Sequence, residues 1–96
     1  MLTGKQKRFL RAMGSSLDPI VYVGKLGVAA EIIAGLDVAL LARELVKVRV
    51  LQNSPVEPQE VLEILAAESG AQLVQVIGRN GLLYRQNQER TRLELP

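Results

Sequence analysis

The chain contains no cysteine and no histidine. Without cysteine there is no disulfide and no thiolate nucleophile, which suits a reducing compartment. Without histidine, metal binding is restricted to all-carboxylate Mg²⁺ or Ca²⁺ sites, and acid–base catalysis loses its commonest side chain. Tryptophan is missing too, and the other aromatics are Phe9, Tyr22 and Tyr84 alone. So small a set excludes base stacking as the main mode of nucleic-acid binding. No apolar run follows the first basic residues, so no signal peptide is expected. The longest apolar segment, 26–42, is interrupted by Glu31 and Asp37 and reads as an amphipathic helix rather than a membrane span. The expectation is a cytoplasmic protein without a membrane partner or a cofactor.

What is there suffices for one domain over residues 1–96: of these residues, 48% are hydrophobic and 23% charged. A chain of this size buries a core without staples. The net charge is only +2, but its sign is segregated. Lys5, Lys7, Arg8, Arg11 and Lys25 dominate the first thirty residues, against Asp18 alone. Glu57, Glu60, Glu63 and Glu68 make the middle acidic, and Arg79, Arg85, Arg90 and Arg92 return the end to basic. Segregated charge of this kind points to a polyanion on one side of the molecule.

Read in order, residues 3–13 form a helix. Thr3 and Gln6 make a capping box, Leu2, Phe9, Leu10 and Met13 supply the apolar stripe, and Gly14 ends the helix as a C′ residue. Asp18-Pro19 favours extended backbone. Residues 20–23 are a short β-branched strand. A second helix follows Gly27, with Val28, Ile32, Leu36, Ala39, Leu40 and Arg43 at helical spacing. Its start is poorly capped, since Ala29 and Ala30 stand where Ser, Thr or Asp is preferred, although Glu31 suits the positive end of the dipole. Leu45–Leu51 alternates cleanly: Val46, Val48 and Val50 face one way, Lys47 and Arg49 the other. Pro58 opens a third helix that ends at Gly70. Residues 72–77 and 82–85 are strands, with Asn80-Gly81 between them as a hairpin signal. The tail from about residue 87 either continues the last strand or frays. The order αβαβαββ predicts an α+β domain with a mixed four-stranded sheet and helices packed on it.

Gly24-Lys25-Leu26-Gly27 is the leading candidate site. Two glycines let backbones approach closely. The first N–H groups of the next helix lack intrahelical partners and carry the dipole's positive end, and Lys25 adds a mobile cation, so an anion could be held here. It is neither a Walker A motif nor a dinucleotide fingerprint. On spacing alone, a tight strand-to-helix connection explains the glycines somewhat better than phosphate binding. A Gly-x-x-Gly loop that clamps nucleic-acid backbone is the device of KH modules. The first helix is the second candidate. Lys and Arg on a solvated helix face usually serve solubility alone; Lys5, Lys7, Arg8 and Arg11, four cations within seven residues with no acid among them, tilt the reading toward a phosphate-facing surface. Lys47 and Arg49 either form a basic sheet face or blunt an exposed edge. Gly78-Arg79-Asn80-Gly81 reads as a hairpin turn with Arg79 at its tip. Glu57, Glu60 and Glu63 read as a solvated helix face. No catalytic constellation is present.

The blocks Leu2-Thr3-Gly4-Lys5-Gln6-Lys7-Arg8-Phe9-Leu10-Arg11-Ala12, Leu17-Asp18-Pro19-Ile20-Val21, Val23-Gly24-Lys25-Leu26-Gly27, Glu44-Leu45-Val46-Lys47-Val48, Val76-Ile77-Gly78-Arg79 and Leu83-Tyr84-Arg85 together resemble the CRM domain. They are most similar to its free-standing bacterial YhbY-like form, and the resemblance spans nearly the whole chain. It implies a fold like the C-terminal domain of translation initiation factor three with an added N-terminal helix, and a last strand antiparallel to the others. It implies a non-enzymatic RNA-binding protein, with precursors of the large ribosomal subunit as the RNA. Gly24, Lys25, Leu26 and Gly27 would be the RNA-binding loop. Lys5, Lys7, Arg8, Arg11, Lys47, Arg49, Arg79 and Arg85 complete the set of candidate RNA contacts. Where family members carry Ser or Thr after the second glycine, this chain has Val28-Ala29-Ala30. A monomer is expected, with ribosomal proteins as further partners. The alternative is a protein-binding adaptor that uses the acidic third helix or an apolar sheet surface, without direct RNA recognition.

Overall fold

The computed structural model describes residues 2–89 and 93–96. The elements are α1 (Gly4–Gly14), β1 (Val21–Val23), α2 (Ala30–Arg43), β2 (Leu45–Val50), α3 (Pro58–Ser69), β3 (Gln72–Ile77) and β4 (Asn80–Tyr84). The sheet runs β1-β2-β4-β3. β1 is parallel to β2, and β4 lies antiparallel to both β2 and β3.

Alternation along the strands divides the side chains between two faces. Val21, Val23, Val46, Val48, Val50 and Leu83 face α2 and α3, where they pack with Leu36, Leu40, Val61, Leu62 and Leu65. A bulge between Leu73 and Gln75 in β3 keeps both Leu73 and Val76 against this core. On the opposite face Leu10 of α1 and Leu2 just before that helix join Leu45, Val74, Leu82 and Tyr84. The tail returns to this smaller cluster through Leu93 and Leu95. Arg90 and Arg92 lie outside the described residues.

The helix ends follow local chemistry. The Thr3 hydroxyl accepts from the Gln6 N–H at 3.1 Å, and the Gln6 side chain accepts from the Thr3 N–H at 3.0 Å. The capping box is therefore complete. Pro58 starts α3, and Gly70, with φ 72, ends it in the left-handed conformation. Glu44 is a less expected joint. It is a fully buried, positive-φ residue and the whole connection between α2 and β2. Its carboxylate accepts the backbone N–H groups of Asn87 at 2.6 Å and Leu93 at 2.7 Å. Burying a carboxyl group is tolerable only with such bonds, and here they tie the tail to the body.

Four expectations are corrected. Gly14 is not a left-handed terminator. It is the buried last residue of α1, followed by Ser15 at φ −61, and a Cβ on it would stand 2.3 Å from Leu82 Cδ1. It is glycine because helix and sheet touch there. Phe9 leaves the apolar stripe and is exposed. α2 begins at Ala30 rather than directly after Gly27, with Ala29 as its N-cap. Asn80-Gly81 is not the hairpin turn: Ile77 pairs with Asn80, so the turn is Gly78-Arg79. Gly78 has φ +58 and Arg79 does not have positive φ, the pattern of a type II′ turn with glycine first. Gly81 instead lies inside β4, where a Cβ would meet Leu62 Cδ1 at 2.5 Å.

Candidate nucleic-acid interface

The Gly24–Gly27 loop leaves the C-terminal end of β1 and enters α2. The Gly27 N–H donates to the Gly24 carbonyl at 2.9 Å, and the Ala29 N–H donates to the Gly27 carbonyl at 3.0 Å. Gly27 has φ +65, which disfavours any side chain. A Cβ on Gly27 would also sit 3.4 Å from Pro55 Cγ, and one on Gly24 would sit 3.4 Å from Asn53 Oδ1. The segment after β2 thus supports the loop from below. That segment is itself fixed, since the Leu51 N–H donates to the Val23 carbonyl at 2.8 Å.

Lys25 and Leu26 form the exposed tip, with Leu26 at 79% of its free area. Behind them, α2 begins at Ala30, and its N-cap Ala29 offers no side chain to cap it. A helix start without a side-chain cap directs N–H groups and partial positive charge at whatever occupies the loop. The Gly27 and Ala29 N–H groups are used inside the loop, so the donors left for a ligand are first-turn N–H groups of α2, with the mobile Lys25 cation beside them.

The other candidates fall into three groups. Lys47 and Arg49 project from β2 on the α1 side of the sheet, Arg49 exposed and Lys47 half-buried. Arg11, late in α1, lines one open depression together with Lys47, Gln75, Ile77 and Asn80. The structure brings these cations together. Lys5, Lys7 and Arg8 are exposed on the first half of α1. That half starts at the far end of the sheet from the loop, where the Leu2 N–H donates to Gln72 Oε1 at 3.2 Å.

Arg79 and Arg85 are committed internally. Arg79 Nε donates to the Val50 carbonyl at 2.8 Å and its Nη2 to the Leu51 carbonyl at 2.7 Å. It closes the end of β2 beside the loop and so braces the candidate site. Arg85 Nη1 donates to Asp37 Oδ1 and to the Ser69 carbonyl, both at 2.7 Å. It joins β4 to α2 and α3 at the end of the sheet away from the loop.

Reasoning from sequence misses the residues that share Arg49's row. Tyr22 pairs with Arg49, Arg49 with Asn80, and Asn80 with Ile77. All four point to the α1 side, because their neighbours Val21, Val23, Val48, Val50, Gly81 and Val76 face α2 and α3. Tyr22 and Ile77 are 48% and 64% exposed. Strand alternation carries the signal for Tyr22, but the row itself depends on pairing register. Tyr84, the other tyrosine, is buried by contrast, and burial together with the nearby Glu44 carboxylate raises its pKa above the ordinary 10.0.

Fold and surface together define a small α+β domain that presents a glycine loop at one end and a basic sheet face beside it. The chain belongs to the CRS1/YhbY (CRM) domain family, whose model matches residues 2–85. It is 50% identical over 96 residues to the Bacillus subtilis protein named "Probable RNA-binding protein YqeI", covering 100% of both chains. It is 34% identical over 95 residues to a Haemophilus influenzae protein named "RNA-binding protein", covering 99% of this chain and 95% of that one. The solution structure of Staphylococcus aureus SAV1595, described as "a putative RNA binding protein", matches with a TM-score of 0.83 and 45% identity over 100% of both chains.

Proposed function

We propose that this protein binds structured RNA without chemistry of its own, and that its target is ribosomal RNA in a cytoplasmic precursor of the large subunit. The Gly24–Gly27 loop holds the sugar-phosphate backbone through N–H groups and Lys25. Arg11, Lys47 and Arg49 add attraction independent of sequence, and Lys5, Lys7 and Arg8 extend it along α1. One observation carries this reading. Exposed Lys25 and the uncapped start of α2 stand at the same loop, where the positive φ of Gly27 favours glycine and both glycines lie against the segment that carries Asn53 and Pro55. The names of the relatives support RNA as the polyanion. Contacts of this kind fix position and shape more than sequence.

The test is filter retention of a ribosomal RNA fragment. Lys25→Glu is expected to weaken binding at least tenfold without lowering the melting temperature, since Lys25 is exposed at the tip of the loop. Affinity should also fall steeply with salt, because phosphate contacts release counterions. Unchanged retention by Lys25→Glu rules out the loop, and a flat salt dependence rules out a backbone-dominated mode. Sedimentation of the protein with large-subunit precursor particles tests the choice of RNA. Its loss after nuclease treatment separates RNA binding from a protein adaptor, whose partners survive that treatment.

A further inference from the structure

The α1 side of the sheet is only partly covered. Gly14 and Leu82 mark where α1 seats on β4, and the row Tyr22–Arg49–Asn80–Ile77 extends beyond that seat toward the loop. Tyr22 immediately precedes Val23 and Gly24, so its ring stands on the strand that delivers the loop.

We propose that this row receives one unpaired nucleotide of the RNA whose backbone the loop holds. This rests on the function proposed above and deepens it by specifying RNA with an unpaired nucleotide next to the clamped backbone.

Three features select a nucleotide over an apolar partner. First, the exposed apolar groups of the row are a tyrosine ring and an isoleucine at its opposite ends, three strand spacings or about 14 Å apart; the Tyr22 ring, with exposed Ile20 two residues before it on the same face, offers one planar surface to a base rather than a broad hydrophobic core for a protein contact. Second, the groups between and beside them are cationic. Arg49 lies in the row itself, Lys47 and Arg11 line the adjoining depression, and that lining includes no carboxylate. Third, the amide oxygen of Asn80, in the middle of the row, is buried without a hydrogen-bond donor among the described residues. Turning that amide outward offers hydrogen bonding to a base edge and relieves an unsatisfied acceptor. With one exposed tyrosine, the surface holds one stacked base rather than a run, which agrees with a site dominated by backbone contacts.

The experiment is fluorescence anisotropy with two labelled RNAs that share a stem, one blunt and one with an unpaired extension. They are titrated with the intact protein and with Tyr22→Ala, Tyr22→Phe and Lys25→Glu, after melting curves show each variant folded. The unaltered protein should prefer the extended RNA. Tyr22→Ala should lose about tenfold on that RNA and little on the blunt stem, a size set by ordinary base–aromatic stacking. Tyr22→Phe should retain binding to both. Equal affinity of the unaltered protein for the two RNAs, or an equal loss on both with Tyr22→Ala, overturns the proposal. If Lys25→Glu weakens binding while Tyr22→Ala does not, the nucleotide site fails and the loop reading stands. If neither variant weakens binding, the loop reading has failed as well. A self-association that Tyr22→Ala abolishes, with RNA affinity unchanged, would make the row a contact between two copies and would also overturn the proposal.

Discussion

Gly81 offers the sharpest check on how the sheet is registered. If Asn80-Gly81 were the turn, an alanine at position 81 would meet only backbone strain. In the structure it meets Leu62, with the new Cβ 2.5 Å from Cδ1 and 2.6 Å from Cδ2 of a fully buried leucine. Carbon atoms prefer about 3.5–4.0 Å, so Leu62 would have to move by about 1 Å in a close-packed core. Overpacking of this size costs about 3 kcal/mol, at the upper end of the usual range. Reduced freedom of the unfolded chain returns about 0.5–1 kcal/mol. The net loss for Gly81→Ala is therefore about 2 kcal/mol, a fall in melting temperature of roughly 8–16 °C for a domain of this size. Leu62→Ala alone should cost about 3 kcal/mol through its cavity. In the double variant the alanine methyl enters space that Leu62 has vacated, so the clash disappears. Urea denaturation of all four proteins should show the double variant no less stable than Leu62→Ala, a coupling of about 2 kcal/mol. Losses that simply add, to within about 0.5 kcal/mol, would refute the contact and with it the placement of Gly81 inside β4.

Two further predictions concern groups that the fold puts to internal use. Arg79→Ala exposes the Val50 and Leu51 carbonyls without their donors and should cost about 1–2 kcal/mol in urea denaturation, reduced from a fully buried case because the site is half-exposed. Unchanged stability with weakened RNA binding would instead make Arg79 a direct contact. Tyr84 is neutral in the fold, and its pKa is raised above 10.0 by burial first and by Glu44 second. A raised folded pKa means that its stabilising contribution is complete below the ordinary value and is lost as pH climbs through the raised one. Tyr84→Phe should therefore flatten the alkaline decline in urea midpoint between neutral pH and about pH 11; an equally steep decline would show that other groups cause it.

Features governed by near neighbours along the chain are legible in the sequence itself. The Thr3–Gln6 box, the alternation of Val46, Val48 and Val50, Pro58 and Gly70 all act within a few residues of themselves. Features that depend on distant partners are not. Gly14 needs Leu82, and Gly81 needs Leu62. Asn-Gly is a strong local turn signal, but the β3–β4 register is set by Leu82 and Tyr84 packing under α1 while Leu83 packs under α3, and that moves the turn to Gly78-Arg79. For the site, the Gly24–Gly27 loop and the cations on β2 are legible. Arg79 and Arg85 look like free charges in the sequence because their acceptors lie about 30 and 50 residues away. The Tyr22 row takes three strand pairings to assemble.

The mounting of the loop has a consequence for when it holds its shape. β1 has only three residues, lies at the edge of the sheet and pairs with β2 alone, its Val21 meeting Val48 across the whole of α2. So short an edge opens more readily than the β2–β4 centre. The Leu51 amide, bonded to Val23 next to the loop, should exchange its hydrogen with solvent faster than the amides between β2 and β4, and slow when RNA is bound. RNA would then complete a part of the domain that by itself is only intermittently closed, and some of the binding free energy would go into closing it.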